Sequence, residues 1–326
     1  MRKWAMMVLW VLFLITTLAE ASLAVELGII TGREKGTYYQ FGLNLKELVK
    51  QHGYQLNVFP SNGSVENINA VFKRPGTQLG IVQSDVLAFV IRVQSNPVLK
   101  TIAKKVKMVF PLYNEEVHLV ARKGIVDFDD LVDRKVAIGE EGSGTYLTAK
   151  LLFEVSDVAP RETFSIGTDE ALARLKEGTI DAMFYVAGYP VKLFSENVSE
   201  QDGLDVIPIS NKSIMEFYPK TEVPADTYKW KKEAVQTVAV KAVLIAYDFK
   251  TVYCQELGKF ARIVVDNLNW LKENGHPKWK SVDFDYPLKG WQQYDCVKKY
   301  IGKAPQGPGK RAPQSNPVLD AIKDVL

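Results

Sequence analysis

The sequence predicts an α/β protein of two lobes, because one strand–glycine loop–helix unit occurs twice along the chain. Each copy consists of a short apolar run, the tripeptide Gly-Thr-Tyr and an amphipathic stretch, at residues 27–30, 36–38 and 41–49 and again at 135–139, 144–146 and 147–153. A glycine loop lets the backbone approach a ligand closely, and the helix start beyond it presents free N–H groups and a positive dipole end. Two such loops facing each other would form an anion clamp.

The segments that follow the two copies also correspond. A glycine-led turn, a helical stretch and an apolar strand come after each copy, at 63–67 and 79–83 in the first half and at 167–170 and 180–185 in the second. Strands that alternate with helices of this length are typical of parallel βαβ sheets, whose ligands lie outside the carboxyl ends of the strands. Two such sheets predict two lobes with a cleft between them.

Two further apolar strands lie where the chain would cross between the lobes. Residues 117–121 form an alternating apolar strand after the apolar run 109–113, and residues 238–245 form a second long strand. Side by side, the two strands would make a flexible hinge. The division that follows is a first lobe of residues 25–117 with 243–326 and a second lobe of 118–242. A helix is expected at 252–267, with Leu257, Phe260, Ala261, Val264 and Val265 on one face.

The amino end has the pattern of a signal peptide. Two basic residues precede an apolar run at 4–18, and small residues follow it up to Ala24. An uncleaved membrane anchor is the alternative, although the run is short for a bilayer crossing. We therefore predict removal of residues 1–24 and a periplasmic protein. Without these residues the chain has 39 basic and 37 acidic residues, a net charge of +2 that argues against a nucleic-acid partner.

The cysteines and histidines indicate no metal centre. Cys254 and Cys296 form an even pair in an exported chain, which favours one disulfide, with two buried free thiols as the alternative. His52, His118 and His276 are isolated and lack the spacing of a zinc site. We expect no metal and no cofactor.

An ordered set of motifs resembles the TAXI family, the extracytoplasmic solute-binding proteins of tripartite ATP-independent periplasmic (TRAP) transporters. The motifs lie at residues 31–32, 36–39, 63–67, 82–85, 115–120, 142–145 and 180–188, and the likeness covers residues 25 to about 250. The resemblance implies a two-lobed periplasmic-binding-protein fold of type II with two hinge crossings, no catalysis, and delivery of a small organic acid to a TRAP permease. The implied ligands are glutamate-like amino acids and dicarboxylates such as 2-oxoglutarate. We expect a monomer.

The resemblance also implies a set of ligand-binding residues. They are Thr37, Tyr38, Ser64, Asn67, Gln83, Asp85, Ser143, Gly144, Thr145 and Tyr185.

Helix capping is the alternative role for the hydroxyl side chains, and we favour it for Thr168. Ser64 and Asn67 share a helix face, so both could reach one carboxylate. Gln83 and Asp85 have the period-two spacing of a strand, although Asp85 could instead cap a helix or hold a ligand ammonium group.

The chain departs from the family pattern at two places. Arg33, Glu34 and Lys35 precede the first Gly-Thr-Tyr where the family has a glycine-rich stretch, and Glu116 stands where it has proline. We expect Arg33 and Lys35 to be solvated, as surface charges usually are.

Two other functions remain open at this stage. A hydrolase is disfavoured because the loop at 142–144 lacks the G-x-S-x-G pattern and a partner histidine. An extracytoplasmic sensor that reports to a membrane receptor is compatible with the same motifs.

Overall fold

The computed structural model describes residues 25–92, 96–250, 252–288 and 290–302, with the side chains of 91 and 92 excepted. The predicted signal peptide and the tail after residue 302 lie outside the described residues. The strands are β1 Val25–Ile30, β2 Tyr54–Phe59, β3 Leu79–Gln83, β4 Val106–Arg122, β5 Lys135–Ala137, β6 Glu162–Phe164, β7 Ala182–Ala187, β8 Leu204–Ile207, β9 Lys220–Val223 and β10 Val235–Tyr247.

The helices alternate with these strands, as the sequence pattern predicts. They are α1 Thr37–Lys50, α2 Ser64–Lys73, α3 Ser84–Arg92, α4 Pro97–Lys105, α5 Gly144–Ser156, α6 Thr168–Glu177, α7 Lys192–Asn197, α8 Lys212–Phe217, α9 Val252–Asp266, α10 Leu268–Asn274 and α11 Asp295–Ile301. Short 3₁₀ helices cover Phe128–Leu131, Glu200–Asp202 and Pro277–Ser281. None of the described helices is both long and apolar enough to cross a bilayer.

The strands form one sheet of ten, in the order β2-β1-β3-β10-β4-β7-β5-β6, with β8 beside β4 and β9 beside β10. At one end, β1 pairs in parallel with β2 and β3. At the other end, β5 pairs in parallel with β6 and β7. The two repeated units therefore build the two parallel ends of this sheet, one in each lobe, and the predicted α/β fold with two lobes is confirmed.

Strands β4 and β10 join the two lobes. The last part of β10 pairs with β3 of the first lobe, and its beginning pairs with β9 of the second. Strand β4 pairs with β10 over most of its length and then with β7 from Glu116 to Ala121. Both strands thus cross between the lobes as an antiparallel pair, which confirms the two predicted hinge crossings.

The structure corrects one detail of the hinge. The two apolar runs at 109–113 and 117–121 belong to the single 17-residue strand β4. Its residues 116–121 are all buried and do not alternate, because helices cover both faces of the sheet in the second lobe.

The hydrophobic core is divided by the sheet into clusters on its two faces. In the first lobe, the α1 and α9 side contains Phe41, Phe260 and Trp279, and the opposite side contains Ile68 and Val86. The second lobe has a corresponding pair of clusters around Phe128 and Phe194. Each lobe therefore has a core of its own on both faces of its sheet.

The chain returns to the first lobe after β10. Helix α9 buries Leu257, Phe260, Ala261 and Val264 as predicted, whereas Val265 is only partly buried. Cys254 of α9 and Cys296 of α11 form a disulfide with a Cα–Cα distance of 5.3 Å, which confirms the favoured pairing.

Candidate functional site

A cavity of about 60 Å³ lies between the two lobes, at the carboxyl ends of their parallel strands. Four helices of the repeated units begin at its wall: α1 and α2 in the first lobe, and α5 and α6 in the second. Gly36, Gly63, Ser143 and Gly167 are the N-cap residues of these helices, and all four line the cavity. The sequence repeat therefore places four helix amino ends around one small space.

Three of these helix ends lack a side-chain cap. Gly36, Gly63 and Gly167 have no side chain that could accept from the first backbone N–H groups of α1, α2 and α6. The first N–H groups of any helix have no partner within the helix. These donors, together with the positive dipole ends, face the cavity and favour an anionic group there.

The fourth end, at α5, is capped and tightly packed. The Ser143 hydroxyl accepts a hydrogen bond from Tyr146 N over 3.0 Å. A Cβ on Gly144 would overlap the Gln83 amide and lie 2.8 Å from Ser64 Oγ, and both of these side chains belong to the first lobe. Only glycine lets the two lobes approach this closely at residue 144.

Eight of the ten predicted residues line the cavity. They are Thr37, Tyr38, Ser64, Gln83, Ser143, Gly144, Thr145 and Tyr185.

The hydroxyl groups of several of these residues hold the cavity wall together. Thr37 Oγ1 donates to Gly188 O over 2.6 Å, and Thr145 Oγ1 accepts from Val186 N over 3.1 Å. Thr168 also lines the cavity, contrary to the capping role favoured from sequence, because Gly167 is the N-cap and Thr168 is already inside the helix.

Asn67 does not reach the cavity. Its amide nitrogen donates to the carbonyl oxygens of Thr31 and Ile81, and its oxygen accepts from Ser61 Oγ over 2.6 Å. Asn67 is fully buried and ties α2 to β1 and β3. Asn67 shares a helix face with Ser64, as predicted, but its side chain lies against the sheet and not against the cavity.

Asp85 also lies outside the cavity lining. The structure corrects the predicted strand spacing, because α3 begins at Ser84 and Asp85 therefore belongs to the helix. Its carboxylate accepts from Val86 N over 2.8 Å and from Thr148 Oγ1 of the second lobe over 2.6 Å. Burial raises the pKa of Asp85 to about 6, although both hydrogen bonds oppose the shift.

Glu115 was not among the predicted site residues, but it lines the cavity from the hinge strand β4. It is buried, and its Oε2 accepts from the Tyr38 hydroxyl over 2.5 Å. Burial raises the pKa of Glu115 well above its usual range, while the Tyr38 hydrogen bond and the charge of Lys278 act against the increase. The sequence signal that could have identified Glu115 is the pair of acidic residues Glu115 and Glu116 inside an otherwise apolar strand.

Two ion pairs close the mouth of the cavity. Arg33 of the first lobe contacts Glu140 of the second, and Lys35 Nζ lies 2.7 Å from Asp169 Oδ1. Arg33 and Lys35 remain partly solvated, as expected, but each also bridges the cleft through an acidic partner, which the sequence did not predict. Arg33 also packs against the backbone of Gly167.

The hinge next to Glu115 contains a buried ion pair and a buried histidine. Lys278 Nζ lies 2.6 Å from Glu116 Oε1, with both side chains almost fully buried. His118 bonds the Tyr228 hydroxyl over 2.9 Å, and burial lowers its pKa to about 4. His118 does not line the cavity, and no group of residues suited to a metal ion occurs in the described part of the chain.

Comparison with known proteins identifies the family. The profile of the NMT1-like family matches residues 29–278, and the chain belongs to this family. The structure is similar to that of MatC from Rhodopseudomonas palustris with bound malate, at 17% identity and a TM-score of 0.52, covering 84% of this chain and 97% of that one. It is also similar to a structure described as a periplasmic transporter, at 15% identity and a TM-score of 0.53, covering 79% and 89% of the two chains. These likenesses show the fold, that of two-lobed periplasmic binding proteins.

Proposed function

We propose that this member of the NMT1-like family is a periplasmic solute-binding protein that captures a small organic acid between its lobes. The observation that carries the proposal is the convergence of four helix amino ends on one cavity. Each such end acts as roughly half a positive charge, and it holds carboxylates through backbone N–H groups. Arg33 is the one cation among the lining residues and already pairs with Glu140, so an anion here would be held mainly by the neutral backbone donors.

The closed conformation sets the size of the ligand. A buried water needs about 10–15 Å³ of such space, so about 60 Å³ has room for four to six water-sized groups. Glutamate-like amino acids and dicarboxylates such as 2-oxoglutarate are larger than this space. A ligand of that size requires the lobes to separate slightly, as hinge proteins allow.

We further propose the TAXI assignment and its partner. The motifs of the two repeats supply both the resemblance and the cavity wall, which supports delivery of the acid to a TRAP permease. In this proposal residues 1–24 are removed on export, the lobes comprise 25–117 with 243–326 and 118–242, and the protein acts as a monomer. Copurification with a TRAP-type membrane permease would test the partner.

The ligand is tested by native mass spectrometry of the protein as purified, followed by calorimetry with glutamate, 2-oxoglutarate and malate. Thr145→Ala removes a side chain from the cavity wall and should weaken acid binding by about 1–3 kcal/mol. Thr179→Ala is the matched control, because the Thr179 hydroxyl is exposed and only bonds Arg174 O. The carboxylate proposal fails if neutral solutes bind the wild type and none of the acids does.

A further inference from the structure

We propose that Glu115 determines ligand specificity, by accepting the ammonium group of a zwitterionic amino acid whose carboxylate lies at the helix amino ends. This inference rests on the proposed function, and it chooses between the two ligand classes named there. It assigns a specificity-determining role to a residue of the hinge strand rather than of a glycine loop.

The hydrogen bonds of Glu115 leave one oxygen for a ligand. Oε2 accepts from Tyr38, which fixes the orientation of the carboxyl group. Oε1 has no hydrogen-bond partner among the described residues. It is also not one of their unpartnered side-chain atoms that are shielded from solvent. Since Glu115 lines the cavity, Oε1 is the oxygen that a ligand donor can reach.

The nearby cations already have other partners. Lys278 pairs with Glu116, the next residue of β4, and Arg33 pairs with Glu140 at the mouth. Glu115 is thus an acidic group without a cation of its own in the described structure. A buried carboxylate of this kind needs a positive partner, and a ligand ammonium group can supply one.

The acidic groups near Glu115 also disfavour its ionised form. Asp85 from α3 and Glu116 from β4 both oppose its ionisation, whereas Lys278 favours it. Tyr38, Tyr113 and Tyr185 lie near enough for the charge of Glu115 to raise their pKa values, and none of them supplies a positive charge. In the empty cavity burial, followed by these acidic neighbours, therefore shifts the pKa of Glu115 well above its usual range and favours its protonated form.

This environment links binding to protons with a defined sign. An ammonium group that lies on Glu115 displaces its proton, so amino-acid affinity rises with pH up to the pKa of Glu115 in the empty protein. A dicarboxylate adds negative charge to the same cavity, so it requires Glu115 to stay protonated. Its affinity would fall as pH rises.

The experiment compares two matched ligand pairs, glutamate with 2-oxoglutarate and alanine with pyruvate. Calorimetry at pH 6 and pH 8, in buffers of different ionisation enthalpy, measures affinity and proton exchange together. For the wild type we expect an amino acid to bind at least about tenfold more tightly than its 2-oxo acid, with proton release.

Glu115→Gln should lower amino-acid affinity by about 10- to 100-fold, the range for hydrogen bonds to charged groups, and should leave 2-oxo acids unaffected or improved. Glu34→Gln, at an exposed carboxylate beside the cavity mouth, is the matched control and should change neither. If Glu115→Gln does not fold, two measurements on the wild type still test the proposal. They are its preference within each ligand pair and the sign of its proton exchange.

Preference for 2-oxo acids or dicarboxylates, with proton uptake, would overturn the role of Glu115 and leave the proposed function standing. An amino-acid preference that Glu115→Gln retains would also overturn it. If no acid of either class binds while neutral solutes do, the proposed function fails and this inference fails with it.

Discussion

The two ion pairs at the mouth of the cavity should favour the closed conformation even without ligand. Arg33–Glu140 and Lys35–Asp169 each join one lobe to the other, and opening the cleft must break both. Their side chains are between 35% and 51% exposed, so solvent screens them substantially. Exposed pairs of this kind contribute about 0.2–1 kcal/mol each.

The expected effect follows from these values. Two pairs together contribute about 0.4–2 kcal/mol, which corresponds to a two- to 30-fold change in the ratio of open to closed protein. The double variant Arg33→Met with Lys35→Met should raise the ratio of open to closed protein by this factor. Salt at 1 M, where the screening length is about 3 Å, should have a similar effect on the wild type.

Pulsed electron paramagnetic resonance between spin labels, one on each lobe, would measure the two populations. Lys232→Met is a matched control, because Lys232 pairs with Asp226 inside the second lobe and the pair does not cross the cleft. Exchanging the charges, as Arg33→Glu with Glu140→Arg, should restore part of the closed population. The reasoning is refuted if the distance distribution does not change in either the double variant or high salt.

Three other perturbations test packing around the site and the return to the first lobe. Gly144→Ala should weaken ligand binding and favour the open form in the same distance measurement without lowering Tm, since the new methyl group obstructs only the closed cleft; an unchanged Kd would contradict this. Reducing the Cys254–Cys296 disulfide frees a loop with a sequence separation of 42 residues and should cost roughly 4 kcal/mol in the chain-entropy model, seen as a lower Tm in reducing buffer; an equal Tm would count against it. Lys278→Met should destabilise the protein by about 3 kcal/mol in urea unfolding, because it leaves the buried Glu116 carboxylate without its partner. The loss should be smaller at pH 5 than at pH 8, since Glu116 can take up a proton at the lower pH. An equal loss at both pH values would mean that the pair contributes no charge interaction.

The fold could be predicted from the sequence because its evidence is local and repeated. The Gly-Thr-Tyr tripeptides lie at the starts of α1 and α5, and the apolar runs before them form β1 and β5. The hinge was predicted because β10 is a long apolar strand that returns after the second repeat. Such patterns depend on neighbouring residues only, so one sequence suffices to read them.

The site was predicted less completely because part of it depends on the distance between the lobes. The partners of Arg33 and Lys35 are 107 and 134 residues away in sequence, and nothing local pairs them. Asn67 has the right spacing for a ligand contact, but its direction is set by the carbonyl groups of the sheet beneath it. Glu115 reaches the cavity only because β4 crosses between the lobes beside it.

The glycine caps leave backbone donors free at three helices that begin at the cavity. A serine or threonine at the N-cap would satisfy one N–H group of its own helix, and glycine in its place costs a few tenths of a kcal/mol. Gly36, Gly63 and Gly167 leave this capacity unused at three helices that face one space. Away from the cavity, Asn96 and Asn211 cap α4 and α8 with their side chains, whereas α7, α10 and α11 also begin without a side-chain cap. The three glycine-capped helices differ from the other uncapped ones because their free backbone donors meet at one cavity, where an incoming carboxylate can use them. Glu115 lies among them as the acidic residue through which an ammonium group could be recognised.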